Sequence, residues 1–267
     1  MYINSNITAQ VAADNLNNNQ SMLSASIQRL SSGSKISQPG QDPAGLAMST
    51  QFDSQISRIS AAQGNVTNAL SFTQTQDGYL SQVSTALSRM SQLAIEAQDP
   101  TKSDSDRALY NTEFTQLSSF VNDAATKTFN GVSLFSGAPM QITTDYEGDT
   151  FTMPGVSLTS AAYTAATSAN VSTIANSTTA LTAVDAAINQ LSSDRATVGA
   201  SETRLTYTAN ELSVTNENLS SADSAIKDVD VATESTSFAQ ENILTQSSVA
   251  MLAQANQIPQ NVLKLLQ

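Results

Sequence analysis

Residues 181–226 read LTAVDAAINQLSSDRATVGASETRLTYTANELSVTNENLSSADSAI, and this stretch decides the fold. Every seventh residue from Val184 is aliphatic: Val184, Leu191, Val198, Leu205, Leu212, Leu219 and Ile226. The alternate seam is mixed, with Leu181, Ile188, Arg195, Glu202, Ala209, Asn216 and Asp223. One apolar row and one mixed row at heptad spacing predict a coiled-coil-like helix. No Pro interrupts the stretch, and Gly199 is its only Gly. A continuous helix of this length is about 70 Å long. It cannot bury its own stripe, and each buried aliphatic side chain contributes at most about 1.5–3 kcal/mol. The row therefore needs partner helices along its whole length.

The chain supplies them on both sides. Residues 1–32 form an amphipathic pattern with Leu16, Leu23 and Leu30 one heptad apart, Ile27 on the other seam, and Ile3 and Ile7 nearer the start. Ser31-Ser32-Gly33-Ser34 and Pro39-Gly40 break this pattern. Asp42-Pro43 restarts a helix, as N-cap and first-turn proline. Its apolar row runs Phe52, Ile56, Ile59, Val66, Leu70, Thr73. The row then shifts phase by three residues to continue as Leu80, Val83, Leu87, Met90, Ala94, which reads as a stammer. Asp99-Pro100 closes it. A shorter helix follows from Ser103 to Lys127, with Leu109, Phe114, Leu117, Val121 and Ala124 inward.

Asn130-Gly131 marks a turn. The alternating pairs Val132/Leu134, Met140/Ile142 and Phe151/Met153, with Glu147-Gly148 between two of them, predict one or two small β-hairpins. From Thr150 to Val184 no residue is charged, and this segment reads as an irregular connection before a helix start near Thr179. Beyond Lys227-Asp228-Val229-Asp230 a last helix carries Leu244, Ser248, Met251, Ala255, Ile258, Val262 and Leu265, with Pro259 expected to kink or tighten it.

The expected fold is mainly α: a long, coiled-coil-like antiparallel bundle with a small β-hairpin region and paired N- and C-terminal helices. The terminal helices have apolar seams but no core of their own. Pairing the ends and packing the pair against neighbouring copies satisfies both, and head-to-tail contacts that do not close give an open polymer.

Composition narrows the function. Only 13% of residues are charged and the net charge is −12, which argues against nucleic acid and anionic membrane surfaces. The chain has no Cys, His or Trp. It therefore lacks disulfides, thiolate chemistry and the commonest acid–base group and metal ligand. No enzyme activity, cofactor or metal is expected. No stretch reaches the roughly 18 apolar residues of a membrane span, and no basic residue precedes Arg29, unlike a cleaved signal peptide.

The motifs now carry a resemblance. Residues 26–36 (SIQRLSSGSKI) followed by Asp42-Pro43-Ala44-Gly45-Leu46-Ala47-Met48-Ser49 resemble the N-terminal signature of bacterial flagellins. Residues 252–263 (LAQANQIPQNVL) resemble their C-terminal signature, and Asn216 to Ser220 with Asp228 to Glu234 also fits. The resemblance implies an inner tube built from residues 1–40 and 228–267, and an outer helical bundle from 41–227 with hairpins near 130–160. The outer domains that many flagellins insert are absent. It also implies an extracellular filament subunit, exported by the flagellar type III route. The implied partners are other copies of the chain, an export chaperone, the filament cap and junction proteins. A hook–filament junction protein, which shares the terminal-helix plan, is the alternative. The residues expected to drive polymerisation are Leu16, Leu23, Ile27, Leu30, Leu244, Met251, Ile258, Val262 and Leu265. Arg89, Leu93 and Glu113 match the patch read by the innate Toll-like receptor, although Ser88, Ser91 and Gln92 replace its other polar residues.

Three further patterns have plainer readings. Ser32-x-x-Lys35 has the spacing of Ser-Lys acylating enzymes but lacks a Lys-Thr-Gly strand, since Lys127-Thr128 is followed by Phe129; it reads as a polar turn. Asp145, Glu147 and Asp149 lack the calcium-loop pattern and read as a hairpin turn. The Ser/Thr-rich run 157–182 has the composition of an O-glycosylated segment. On the mixed seam, Arg195 and Glu202 are expected to reach solvent at the bundle edge, with register-setting by buried polar groups as the competing role.

Overall fold

The computed structural model describes residues 6–265, with side chains through Ile258. In chain order the elements are α1 (Ile7–Ser32), α2 (Pro43–Gln98), α3 (Asp104–Ala125), β1 (Thr128–Phe129), β2 (Val132–Ser133), β3 (Met140–Thr143), β4 (Thr150–Met153), α4 (Ala161–Thr167), α5 (Ile174–Lys227) and α6 (Val231–Leu265). The chain divides into two compact units. One holds the chain ends, up to Ile56 and from Glu217; the other spans Ser57–Asn216.

The middle unit is an antiparallel bundle. Its order is fixed by pairs between α2 and α5: Gln74 with Glu202, Asp77 with Arg195, and Gln98 with Ser177. Five of the seven residues in the heptad row of α5 are buried, Val184, Leu191, Val198, Leu205 and Leu212, while Leu219 and Ile226 near its C-terminal end are half-buried. Ser177 and Ala180 extend that row N-terminally, so the helix begins at Ile174 rather than near Thr179. Small residues on the buried face hid this first turn, because Ser and Ala carry no strong apolar signal. The connection before it is not wholly irregular either. It contains α4, whose Tyr163 and Ala166 are fully buried.

The stammer read in α2 does not exist. The buried positions run Ile59, Ala62, Val66, Ala69, Thr73, Gln76, Leu80, Val83, Leu87, Met90, Ala94, Ala97 in unbroken 3–4 spacing. Thr73 is buried on the row as expected, while Ala62, Ala69 and the polar Gln76 hold the second seam in place of Ile56 and Leu70. Gln76 is tolerated because its Nε2 donates to the Leu134 carbonyl at 2.6 Å, so burial leaves its amide partnered. That bond also fixes the chain just after β2 against α2.

In α3 the inward row is Arg107, Phe114, Ser118, Val121 and Ala124, and Leu109 points to solvent at 70% exposure. Leu109 loses the inward place because Arg107 takes that end of the helix. The Arg107 guanidinium donates to the carbonyls of Ala97 and Asp99 (both 3.0 Å) and to Asp104 (2.9 Å). It thus satisfies carbonyls at the C-terminal end of α2, which has no further turn to receive them. Ser103 and Asp106 start α3 with a reciprocal capping box.

Two antiparallel hairpins follow. Asn130 (φ 49°) and Gly131 (φ 80°) link β1 to β2, the two-residue turn that suits a right-twisted hairpin. Phe129 packs edge-on to Phe72, with ring centroids 6.0 Å apart. The second hairpin pairs Met140 with Met153 and Thr143 with Thr150. Its turn is closed by Asp145, whose Oδ1 accepts the N–H groups of Glu147, Gly148 and Asp149 at 2.8–2.9 Å. Phe151 is held under the Arg204 guanidinium, 4.1 Å from the ring centre.

Candidate assembly surface

In the unit that holds the chain ends, α1 and α6 pair antiparallel. Three side-chain links order them: Asn6 to the Ala255 carbonyl, Asn19 to Ser248, and Ser26 with Arg29 to Glu234. Gly33 (φ 70°) ends α1 and returns its N–H to Arg29, since only a residue free of a Cβ takes that conformation cheaply. The linkers beyond the two helices are tied side by side. Ser34 bridges Asp228, Lys35 N–H donates to the Lys227 carbonyl, and Val229 N–H donates to the Gly33 carbonyl. At the next helix, Asp42 Oδ1 accepts Gly45 N–H as the expected N-cap of α2. Lys227 pairs with Asp53 at 3.2 Å and lies 4.0 Å from the buried Asp223.

The seam between α1 and α6 is more polar than the aliphatic pattern suggested. On α1, Leu16, Leu23 and Leu30 are half-buried, as is Asn19, while Ser26 is buried outright. On α6 the facing row is Glu234, Phe238, Glu241, Thr245, Ser248, Leu252 and Ala255 at 4–3 spacing. Glu234 Oε1 accepts from Ser26 Oγ (2.6 Å), Arg29 Nε (3.0 Å) and Arg29 Nη2 (2.8 Å). Arg29 first, and Ser26 second, hold the Glu234 carboxyl below its ordinary value of 4.5.

The single row read in the sequence of α6 is therefore two rows. Ser248 and Ala255 face α1, while Leu244 (42% exposed), Met251 (65%) and Ile258 (41%) lie on a flank left open among the described residues. A helix paired with only one neighbour can bury only one narrow stripe. The remaining apolar residues must stay outside: Ile27 with Ile7, Val11 and Met22 on α1, and Ile243 and Val249 on α6. Of eighteen large apolar side chains exposed among the described residues, ten belong to these two helices. Val262 and Leu265 fall in α6, but their side chains, like Ile3, lie outside the described residues. α6 continues through Pro259 to Leu265.

The receptor-type residues sit in the middle unit. Arg89 and Glu113 form a two-pronged ion pair across α2 and α3, at 2.7 and 3.0 Å. The pairing raises the Arg89 pKa and lowers that of Glu113. Leu93 is fully buried beneath, so a partner on this face meets the ion pair and not the leucine. Ser32 is the last residue of α1, its hydroxyl accepting Ser34 N–H in the turn that follows. Arg195 forks onto Asp77 at 2.9 and 3.1 Å, with both side chains over a third exposed. This is the bundle-edge position. No helix among the described residues is long and apolar enough to cross a membrane.

An open apolar flank on a pair of chain-end helices is what a self-assembling subunit presents. Residues 3–139 match the bacterial flagellin N-terminal helical region, and residues 181–266 the C-terminal helical region. This chain belongs to the bacterial flagellin family. Its role is structural, as a subunit of the flagellar filament that serves motility. It is 35% identical to a flagellin of Halalkalibacterium halodurans, with all of both chains covered. The flagellin of Bacillus subtilis is also 35% identical over full length. The flagellar filament 30.7 kDa core protein of Treponema maltophilum is 34% identical, again with full coverage of both. Among solved structures, Bacillus cereus flagellin superposes with a TM-score of 0.50 at 30% identity, covering 56% of this chain and 88% of that one. A putative flagellar hook-associated protein from Vibrio parahaemolyticus reaches 0.60 at 14% identity, over 70% and 100%. At that identity the second match speaks to fold alone.

Proposed function

We propose that this flagellin polymerises through the uncovered flank of its terminal pair, with Leu244, Met251 and Ile258 on α6 and Ile27 on α1 meeting the same surfaces of neighbouring copies. The observation that carries this is the split of the α6 pattern: three residues at heptad spacing, all exposed, beside a row already satisfied by α1. Leu16, Leu23 and Leu30 act one step earlier by holding α1 on α6. Leu265 continues the heptad of the exposed row in sequence, and Val262 that of the row through Ser248 and Ala255; we count both in the assembly set. On this reading residues 1–40 and 228–267 line the inside of the filament, and 41–227 surround them. The isolated pair is marginal, because short-range pairing without a core barely offsets the entropy of ordering two helices. Neighbouring copies complete its burial. The filament lies outside the cell, reached through the flagellar type III apparatus, with an export chaperone, a cap and junction proteins as partners. A receptor reading the Arg89–Glu113 pair is a separate, weaker reading, supported by the exposure of that pair alone.

The test is direct. Concentrated purified chain is mixed with filament seeds or ammonium sulfate and viewed by negative-stain electron microscopy. Long uniform filaments are expected. Monomers that persist, and gain helix only when another flagellar protein is added, would instead indicate a junction protein.

A further inference from the structure

α6 is continuous from Val231 to Leu265, so position 259 is helical, and it is a proline. Proline has no N–H, and the carbonyl four residues earlier loses its helical donor. That carbonyl belongs to Ala255, which is buried at 7% exposure on the row facing α1. A buried acceptor without a donor is costly. The donor comes from the other helix: Asn6 Nδ2 lies 2.9 Å from the Ala255 oxygen. The opposite end of the same amide is also fixed. Asn6 Oδ1 accepts Ala9 N–H at 3.2 Å and the Thr8 hydroxyl at 2.7 Å, which makes Asn6 the N-cap of α1. Exchanging the amide's oxygen and nitrogen would set carbonyl against carbonyl and NH2 against N–H, so the orientation is determined by its neighbours.

We propose that Asn6 and Pro259 together form a register lock between the terminal helices. The proline creates one open carbonyl on the α1-facing row, and the asparagine at the start of α1 is the group that fills it. The leucines of α1 repeat every seven residues, so Leu16, Leu23 and Leu30 by themselves do not exclude a slip along α6; Glu234 with Ser26 and Arg29 holds one end of the pair, and the Asn6–Ala255 bond adds a lock at the other. Apolar packing is indifferent to such slips. A single polar pair is not, since the slipped arrangement leaves the Ala255 carbonyl and the Asn6 amide unpartnered. The exposed rows of α1 and α6 then stand in one fixed axial relation, which a helical polymer requires of every copy. This deepens the assembly reading and rests on it for the state in which the pair is complete.

The chain has no cysteine of its own, so register can be read by disulfide formation. Asn19 Nδ2 contacts Ser248 Oγ at 2.8 Å, so Asn19→Cys with Ser248→Cys reports the native register. Asn19→Cys with Leu252→Cys reports a slip of one turn. Both pairs are placed in the unaltered background, in Asn6→Ser, in Pro259→Ala and in the double variant. Serine caps a helix as well as asparagine does but is too short to carry the amide donor. The native pair should outrun the slipped pair by at least about tenfold in the unaltered background, the ratio set by an unfilled buried acceptor. Asn6→Ser and Pro259→Ala should each lower that ratio at least about threefold, on the same reasoning. The double variant should lower it no further, since either change abolishes the same lock. Asn6→Ser should also raise the critical concentration for polymerisation about five- to thirtyfold. In the Pro259→Ala background the rise should be under about twofold, because the helix now supplies its own donor. A ratio unmoved by Asn6→Ser, or losses that multiply in the double variant, would overturn the lock. Ratios are read in soluble and sedimented fractions alike. A lack of filaments from the unaltered chain would count against the assembly reading, and the disulfide ratio in the soluble fraction would still decide for or against the lock.

Discussion

Met251 offers the sharpest separation between holding α1 on α6 and holding one copy on another. Its side chain is 65% exposed within the chain, so about two thirds of its apolar surface remains for a neighbour to cover. Complete burial of such a side chain contributes about 1.5–3 kcal/mol. Roughly 1–2 kcal/mol per subunit is therefore at stake in the polymer. At about 1.4 kcal/mol per factor of ten, Met251→Ala should raise the critical concentration roughly five- to thirtyfold. Met251→Asp adds a carboxylate to a contact that excludes water, a penalty of several kcal/mol, and should abolish filaments at any practical concentration. The thermal transition of the middle unit, followed by circular dichroism, should not move, because that unit ends at Asn216. Sedimentation of seeded polymer across a concentration series gives the critical concentration. Leu23→Asp is the contrasting case. Leu23 is half-buried between α1 and α6, so its loss should separate the pair itself as well as prevent assembly. Normal polymerisation of Met251→Asp would refute the reasoning, and with it the assignment of the exposed flank to contact between copies.

Further outcomes follow from the polar network and the bundle. Glu234 has its pKa lowered by Arg29 and Ser26, so its contribution is complete above its ordinary value of 4.5 and is lost as pH falls through the depressed folded value. Filaments should loosen as acid is added below about that pH, and Glu234→Gln, weaker by about 1 kcal/mol, should flatten this acid limb in a pH series of critical concentrations. Arg107→Met strips the donors from the Ala97 and Asp99 carbonyls, and the middle unit should lose about 2–4 kcal/mol, visible as a melting point lower by roughly 5–10 °C. Tyr163 is fully buried and donates to Asp194 at 2.7 Å; burial, then that carboxylate, pushes its pKa up from 10.0. Of the six tyrosines, this one should ionise only when the unit unfolds, so Tyr163→Phe should remove the late step from an alkaline absorbance titration.

Much of this architecture can be read from the sequence where apolar residues repeat without interruption. The row from Val184 to Leu212 announces α5, and Asp42-Pro43 and Asn130-Gly131 announce a helix start and a hairpin turn through backbone chemistry that needs no tertiary context. Legibility fails where the core accepts polar or small residues. Ala62, Ala69 and Gln76 sit on the buried seam of α2, and reading Ile56 and Leu70 in their place gives a false phase shift; Gln76 is admitted by the Leu134 carbonyl, which is 58 residues away. Ser177 and Ala180 concealed the first turns of α5 in the same way. On α6 a single 4–3 reading merged two rows, because a pattern of apolar residues does not say which neighbour covers each. The links that set the pair together, Asn6 to Ala255 and Ser26 and Arg29 to Glu234, join residues over 200 positions apart, beyond any local signal. The apolar residues Leu16, Leu23 and Leu30 were legible; the polar groups that choose among their registers were not.

The turn between β3 and β4 has a practical consequence. Asp145 gathers three backbone N–H groups, and Thr144 N–H donates to the Asp149 carbonyl at 2.9 Å, so the two ends of the turn are held at a fixed separation by the hairpin itself. Gly148 adopts φ 101° at its tip, and Glu147, Gly148 and Asp149 are exposed. Closing a longer loop across such a gap costs little, about 0.6 kcal/mol for each doubling of its length. The tip is accordingly a grafting point, where a foreign peptide or small domain with neighbouring termini would be carried by every subunit at one regular spacing, turning the polymer into a display lattice without touching either terminal helix.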